Sequence, residues 1–334
     1  MHIPDGFVSG PINIAGAVVA VSAVGAGAYF ASRAPEGRER IVPLLAMTSA
    51  FVFAAQMLNF PIGGGTSGHF LGAAFVGAML GGWNACLALA LVLVIQCLGF
   101  ADGGITALGT NIVNMGVIGG LGAYAFMRAV RPLLPAGKGW FLGTAAAAGW
   151  MSIVVAATAC SLELAFSGTS PLSLVLPAMA GTHAVIGIGE ALITASVLSI
   201  VTVARPELLP QWARVDVKPG GSPGRSRRAI WIIAIAGLAL AFVLAAVVIP
   251  HASSSPDGLE KVAEDKGFLA RAEGSSVWEK SPLPDYSVPG VESEGLSTSL
   301  AGILGTIAVF AAGFVVIRLV VGHGAKSARQ PDET

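Results

Sequence analysis

The chain has 334 residues, of which 54% are hydrophobic and only 11% are charged, and its formal net charge at pH 7 is zero. These proportions lie far outside the range of soluble globular domains and indicate a membrane protein. A neutral chain without a block of Lys and Arg also lacks the positive surface that nucleic-acid binding requires, so we expect no nucleic-acid partner.

The N-terminus begins with a short polar segment that is followed by an apolar run. Neither a positively charged region nor a cleavage site precedes this run, so we expect no signal peptide and expect Met1 to be the mature first residue. The cysteines Cys86, Cys97 and Cys160 lie inside apolar runs without metal-binding spacing. We interpret them as buried hydrophobic residues.

Seven apolar segments reach the length of about 20 residues that a bilayer-spanning helix needs. They are 12–31, 41–60, 107–127, 141–166, 178–203, 229–249 and 299–321. A further apolar stretch, 69–100, is interrupted by Gly81-Gly82 and forms either one long helix or two short helices joined by a turn.

The distribution of Lys and Arg predicts the orientation, because these residues concentrate in cytoplasmic loops. The loop after the first helix and the loop before residue 141 each carry three basic residues, so both are predicted to be cytoplasmic and an even number of crossings must separate them. The segments 41–60 and 107–127 each cross once, so 69–100 must cross twice. Two helices that break at Gly81-Gly82 satisfy this rule. The stretch 251–298 holds four basic against nine acidic residues and is predicted to be external.

We therefore predict an all-α polytopic membrane protein with about nine transmembrane helices. Residues 1–204 form a seven-helix metal-binding domain, 205–228 a basic cytoplasmic linker, and 229–334 a two-helix accessory domain with an external loop at 251–298. The N-terminus is expected outside the cell and the C-terminus in the cytoplasm. Fusion of two subunits is the simplest origin of this arrangement.

The first two residues, Met1-His2, can offer three nitrogens to one metal ion. The α-amine and the backbone nitrogen of His2 close a five-membered ring, and that nitrogen and Nδ1 close a six-membered ring. Nickel(II) and copper(II) prefer such square-planar nitrogen coordination. His69, in a glycine-rich loop predicted on the same side of the membrane, is the best candidate for the fourth nitrogen.

Each histidine alone also has a simpler interpretation. His2 belongs to a flexible terminus, and His69 suits a membrane-interface residue that hydrogen-bonds a loop carbonyl. Thr66 and Ser67 either orient the His69 imidazole through hydrogen bonds or serve only loop solubility.

His183 and Glu190 lie seven residues apart and so share one face of the helix predicted at 178–203. Ionisable residues inside membrane helices are functional candidates. This pair either lines the surroundings of the metal, contacts a coupling subunit, or forms a structural hydrogen-bonded pair with another helix.

Three motifs resemble the substrate-binding subunits of cobalt/nickel energy-coupling-factor (ECF) transporters, of the CbiM/NikM type. They are Met-His-Ile-Pro-Asp-Gly-Phe at 1–7, Gly-Thr-Ser-Gly-His at 65–69 and Gly-Thr-His-Ala-Val-Ile-Gly-Ile-Gly-Glu-Ala-Leu-Ile-Thr at 181–194. The stretch Pro-Asp-Gly-Leu-Glu at 256–260 resembles the small partner subunit, CbiN/NikN.

The resemblance implies that Met1, His2 and His69 bind Co²⁺ or Ni²⁺ as the transported ion, without a cofactor. It also implies a bacterial cell membrane location, a separate transmembrane coupling subunit and cytoplasmic ATPase subunits. The sequence contains no G-x-x-x-x-G-K-[ST] motif, which agrees with a transporter subunit that is not itself an enzyme.

A membrane metal sensor or chaperone that binds the ion without transporting it is the alternative. A passive channel is less favoured, because it needs a polar lining through several helices. The choice between cobalt and nickel stays open, although a square of four nitrogens favours nickel.

Overall fold

A computed structural model of the chain describes residues 1–33, 38–209, 227–278 and 280–327. Most of the predicted cytoplasmic linker, 210–226, lies outside these ranges. The α-helices are α1 (Gly10–Ser32), α2 (Arg38–Gln56), α3 (Ala73–Leu80), α4 (Gly82–Phe100), α5 (Leu108–Asn111), α6 (Ala123–Val130), α7 (Lys138–Phe166), α8 (Leu172–Ala204), α9 (Arg227–Val243), α10 (Gly258–Lys266) and α11 (Glu294–Ser327). A π-helix, Ile112–Gly122, joins α5 to α6, and a shorter one, Leu244–Val248, continues α9.

Within the described ranges, seven helical segments are long and apolar enough to cross a membrane. They are Gly10–Ser32, Gly82–Phe100, Leu108–Leu133, Lys138–Phe166, Leu172–Ala204, Ile230–His251 and Glu294–Val320. The prediction of an all-α polytopic membrane protein is confirmed. The predicted number of nine spans is only approximate, because α3 has 8 residues and is about 12 Å long, whereas the hydrocarbon core measures about 30 Å.

A β-hairpin replaces the end of the helix predicted at 41–60. Helix α2 stops at Gln56, and strand β1 (Asn59–Gly63) pairs antiparallel with strand β2 (Thr66–His69). The turn contains three glycines with positive φ, a conformation that glycine adopts without strain. Strand β2 packs on α8. Its residues Thr66, Ser67 and Gly68 are buried, whereas the turn glycines are exposed.

The predicted break at Gly81 is confirmed. Gly81 has φ 89° and ψ 162° and separates α3 from α4. The helix predicted from residue 69 to the break is reduced to the 8-residue α3, because the hairpin extends to His69 and α3 begins only at Ala73.

The helices of the two-helix accessory domain predicted at 229–334 (the second unit) pack directly on the domain predicted at 1–204 (the first unit). Helices α9 and α11 both contact α2, and α11 also contacts α1 and α4. A second, smaller core joins the N-terminal segment to the ends of α7 and α8 and to α10. Its members are Met1, Ile3, Phe7, Val8, Ala107, Ala156, Ala157, Cys160, Leu164, Val175, Met179, Leu259, Val262, Ala263 and Phe268. This core holds the N-terminus inside the protein.

Candidate metal-binding site

The Met1 amine lies between two side chains that come from distant parts of the sequence. It is 2.8 Å from Nε2 of His69 and 2.7 Å from Oδ2 of Asp257, and the Met1 residue is only 6% exposed. Two nitrogens at neighbouring corners around one ion, each on a bond of about 2.0–2.1 Å, are about 2.9 Å apart. The amine and His69 therefore have the separation of a pair of adjacent metal ligands.

The segment after Met1 is fixed by hydrogen bonds to α5 and to the loop before it. The Asn111 side chain accepts from the Ile3 N–H at 2.9 Å and donates to the Ile3 carbonyl at 3.1 Å. Asp5 Oδ1 accepts from the backbone N–H of Thr106 at 2.8 Å and from its hydroxyl at 2.6 Å. These contacts on both sides of Pro4 fold the terminus back into the bundle, as the Pro-Asp-Gly turn favours.

His69 ends strand β2, and its surroundings fix its tautomer. Nδ1 lies 3.3 Å from the Phe70 carbonyl, which can only accept, so Nδ1 carries the proton and Nε2 presents its lone pair to the amine. Just beyond, the two oxygens of Glu190 accept from the N–H groups of Leu71 at 2.7 Å and Gly72 at 3.0 Å. Glu190 thereby anchors the backbone that carries His69.

The His2 ring stacks on the His69 ring with centroids 5.4 Å apart and an interplanar angle of 17°. Its Nδ1 lies 3.1 Å from Oδ1 of Asp102. Its Nε2 is buried without a hydrogen-bond partner among the described residues. The nitrogen that the predicted six-membered chelate ring needs is therefore engaged with Asp102 in this structure.

Both imidazoles are neutral at neutral pH. Burial, and secondly the positive charge of the amine, lowers the pKa of His2 to about 3 and that of His69 to about 3. Burial alone would raise the pKa of Asp257, but the amine and backbone hydrogen bonds hold it well below its usual range. Neutral nitrogens next to a carboxylate form a suitable environment for a cation.

The second unit supplies Asp257 through its Pro-Asp-Gly-Leu-Glu motif. Oδ1 of Asp257 accepts from the N–H groups of Leu259 and Glu260, each at 2.8 Å, and so caps α10, while Oδ2 accepts from the amine. One side chain thus joins a helix of the second unit to the N-terminus of the first.

The residues that flank Asp257 are also held by the first unit. The Ser67 N–H donates to the Pro256 carbonyl at 2.9 Å, and the Ser67 hydroxyl donates to the Ser255 carbonyl at 2.8 Å. A Cβ at Gly258 would lie 2.9 Å from Cε1 of His183, so this position has room for glycine only.

A second contact between the units reaches His2 through Asp102. The Tyr286 hydroxyl donates to Oδ2 of Asp102 at 2.5 Å, and its ring stacks on Phe100 at 4.8 Å. Burial and the charge of Asp102 raise the pKa of Tyr286 well above its usual range, so the phenol keeps its proton and acts as the donor. Asp285 and Tyr286 both have positive φ, at 51° and 56°, which costs free energy for residues other than glycine.

The structure brings Met1, His2 and His69 together. Ser67 makes its hydrogen bonds to the second unit, and Thr66 is buried at the turn of the hairpin. His183 and Glu190 lie on one side of α8 but bond different partners, since Nδ1 of His183 lies 2.8 Å from the carbonyl of Met179 in its own helix.

Sequence reasoning missed the roles of Asp102, Asp257 and Tyr286. Asp102 carried one usable signal, since it ends an apolar run next to Gly103 on the side of the membrane predicted for Met1. No three His, Cys, Asp or Glu side chains of the described residues form a cluster that could hold a metal ion. The candidate site differs from such a cluster because it includes a main-chain amine.

Comparison with known proteins places the chain among metal transport proteins. The family model described as the cobalt uptake substrate-specific transmembrane region, CbiM, matches residues 2–208, and the PDGLE domain model matches residues 231–322. The putative fused nickel transport protein NikMN of Archaeoglobus fulgidus is 36% identical over 95% of this chain and 98% of its own length. The fused nickel transport protein NikMN of Rhodobacter capsulatus is 29% identical over 93% of this chain and 95% of its own.

A crystal structure described as that of a transition metal transporter is 33% identical and has a TM-score of 0.54. The match covers 61% of this chain and 93% of that one. The resemblance seen in the sequence motifs is confirmed. The chain belongs to the CbiM family of cobalt uptake substrate-specific transmembrane regions and carries a PDGLE domain after it.

Proposed function

We propose that this chain is the substrate-capture component of an ATP-driven ECF importer for Co²⁺ or Ni²⁺, with the metal bound by Met1, His2 and His69. The observation that carries the proposal is the 2.8 Å contact between the Met1 amine and Nε2 of His69. Membership of the CbiM family and the nickel transport proteins among its relatives support the class of ion.

The bound metal ion would take the place of the proton in the hydrogen bond between the Met1 amine and Nε2 of His69. The lone pair of Nε2 already points at this position, because the Nδ1 proton is held by the Phe70 carbonyl. Ligands must be deprotonated to coordinate, so capture releases protons. The ion takes the place of a hydrogen bond without requiring a large movement of either nitrogen.

His2 would complete the ligand set after its imidazole leaves Asp102. Rotation of the ring about its bond to Cβ turns Nδ1 toward the backbone nitrogen of the same residue. The five- and six-membered chelate rings can then close once the His2 backbone N–H releases its proton to solvent. The resulting square of four nitrogens favours nickel among the candidate ions.

Energy for transport would come from other subunits. The chain has no phosphate-binding motif of the P-loop type, so the proposal includes cytoplasmic ATPase subunits and a transmembrane coupling subunit. We place the metal site at the extracytoplasmic face, in accord with the acidic external loop and the basic residues of the opposite loops.

The test compares two histidine variants of the purified full chain. His69→Ala should lose stoichiometric Ni²⁺ binding, measured by native mass spectrometry. His251→Ala should retain it, since His251 is an exposed residue whose Nδ1 lies 3.1 Å from the Val247 carbonyl. Unchanged binding in His69→Ala would contradict the assigned site.

Cells that contain the chain with its coupling and ATPase subunits should accumulate nickel or cobalt above the level of cells with an inactive ATPase. Equal accumulation in the two strains, together with intact metal binding, would favour a sensor or chaperone.

A further inference from the structure

The following inference rests on the proposed function. We propose that Asp257, from the PDGLE domain, is a positioning residue for the bound metal. Its carboxylate holds the Met1 amine in place as a ligand and balances part of the charge of the ion. The second unit thereby contributes directly to the metal site of the first.

Each carboxylate oxygen of Asp257 accepts hydrogen bonds from a different part of the protein. Oδ1 caps α10 through Leu259 and Glu260, and Oδ2 accepts from the amine at 2.7 Å. A primary amine that coordinates a metal still carries N–H groups, so Oδ2 keeps a donor after the ion binds. Ligating nitrogens in metal sites usually donate a remaining N–H to a carboxylate or carbonyl in this way, and the partner orients the ligand.

The position of the carboxylate is determined by the first unit. Ser67 fixes the Pro256 carbonyl on one side of Asp257, and His183 and Ile186 pack against Gly258 on the other. Leu259 is 1% exposed and lies in the same small core as Met1. Residues on both sides of Asp257 in the motif therefore contact the first unit, and these contacts restrict the position of the carboxylate.

Asp257 also supplies negative charge next to the bound ion. The amine and the two imidazoles are neutral ligands, and only the deprotonated backbone nitrogen of His2 carries a negative charge, so one of the two positive charges of the ion stays uncompensated. An unbalanced charge in a buried site is costly. In this structure Asp257 contacts the amine and Asp102 contacts His2. The contact of Asp257 is the one that stays in place when the His2 ring turns away from Asp102 to bind the ion.

Two substitutions separate the charge of Asp257 from its capping role. Asn caps helices about as well as Asp but carries no charge, whereas Glu keeps the charge and is a poorer cap. Asp257→Asn should weaken Ni²⁺ binding by about 10- to 100-fold, measured by calorimetry on the full chain. Asp257→Glu should bind more tightly than Asp257→Asn. Glu260→Gln removes a neighbouring charge from the same motif and should change the affinity by less than about twofold.

The opposite order of the two variants, equal losses in both, or a loss under about threefold in Asp257→Asn would overturn the proposal. The absorption bands of bound Ni²⁺ add a readout that helix capping would not move. Unchanged bands in Asp257→Asn are expected, because the same nitrogens coordinate, and shifted bands would instead make Asp257 a direct ligand.

A chain extended by one residue before Met1 is measured in the same series. If the extended chain binds Ni²⁺ normally, the proposed function fails. If the extension abolishes binding while Asp257→Asn is neutral, only the inference about Asp257 fails.

Discussion

Substitution of Gly68 by Ala should displace His69 and weaken metal binding. A Cβ at residue 68 would lie 2.7 Å from Cγ1 and 2.8 Å from Cγ2 of Ile186. Carbon atoms in contact are about 3.5–4.0 Å apart, so β2 and α8 must separate by about 1 Å. The clashing atoms belong to the base of a β-branched side chain and cannot rotate away.

A shift of about 1 Å at His69 is half the length of a metal–nitrogen bond, which is about 2.0–2.1 Å. We therefore expect Gly68→Ala to weaken Ni²⁺ binding at least tenfold, which corresponds to about 1.4 kcal/mol. Overpacking should also lower the free energy of unfolding by about 1–3 kcal/mol. Calorimetric titration of the detergent-purified chain measures the affinity.

A second substitution tests the cause. Ile186→Ala removes the clashing atoms, so the double variant should bind Ni²⁺ more tightly than Gly68→Ala alone. Gly10→Ala is the matched control, because a Cβ there would meet no atom within 4 Å. Wild-type affinity in Gly68→Ala, or no recovery in the double variant, would show that the contact with Ile186 does not position His69.

Two further predictions concern residues around the site. Tyr286→Phe keeps the ring on Phe100 but removes the hydrogen bond to Asp102, so the free energy of unfolding should fall by about 1.5–3 kcal/mol. Thermal denaturation measures this, with Tyr29→Phe as an exposed control, and an unchanged transition in Tyr286→Phe would contradict it. Glu190→Gln places an amide NH₂ opposite the backbone N–H of Leu71 or Gly72, so calorimetry should show weaker Ni²⁺ binding. Glu163→Gln, which still accepts from Asn114, should bind normally, and equal affinities in the two variants would count against the role of Glu190.

The long helices follow from the sequence, but the hairpin between α2 and α3 does not. The apolar run at 41–60 continues without a break from α2 into β1, and hydrophobicity alone does not distinguish a buried strand from a helix. Tertiary contacts favour the hairpin over a longer helix, because Phe60 packs against Gly189 of α8 and Gly68 packs against Ile186 of α8. The break at Gly81 was predicted, because the charge pattern required an even number of crossings and the glycine pair is a position where a helix can end.

The sequence likewise predicted some residues of the candidate site but not others. The charge pattern predicted Met1 and His69 on one side of the membrane, and the structure brings them within 2.8 Å. Asp257 and Tyr286 lie more than 250 residues from Met1 in the chain, and no local pattern relates them to it. Their contacts depend on how the second unit packs against the first.

Blocking the Met1 amine tests its proposed role as a metal ligand most directly. The chain is produced with a removable N-terminal extension, and bound Ni²⁺ is counted by mass spectrometry before and after cleavage back to Met1. We expect no stoichiometric binding to the extended chain and one Ni²⁺ per chain after cleavage. Equal binding before and after cleavage would contradict that role.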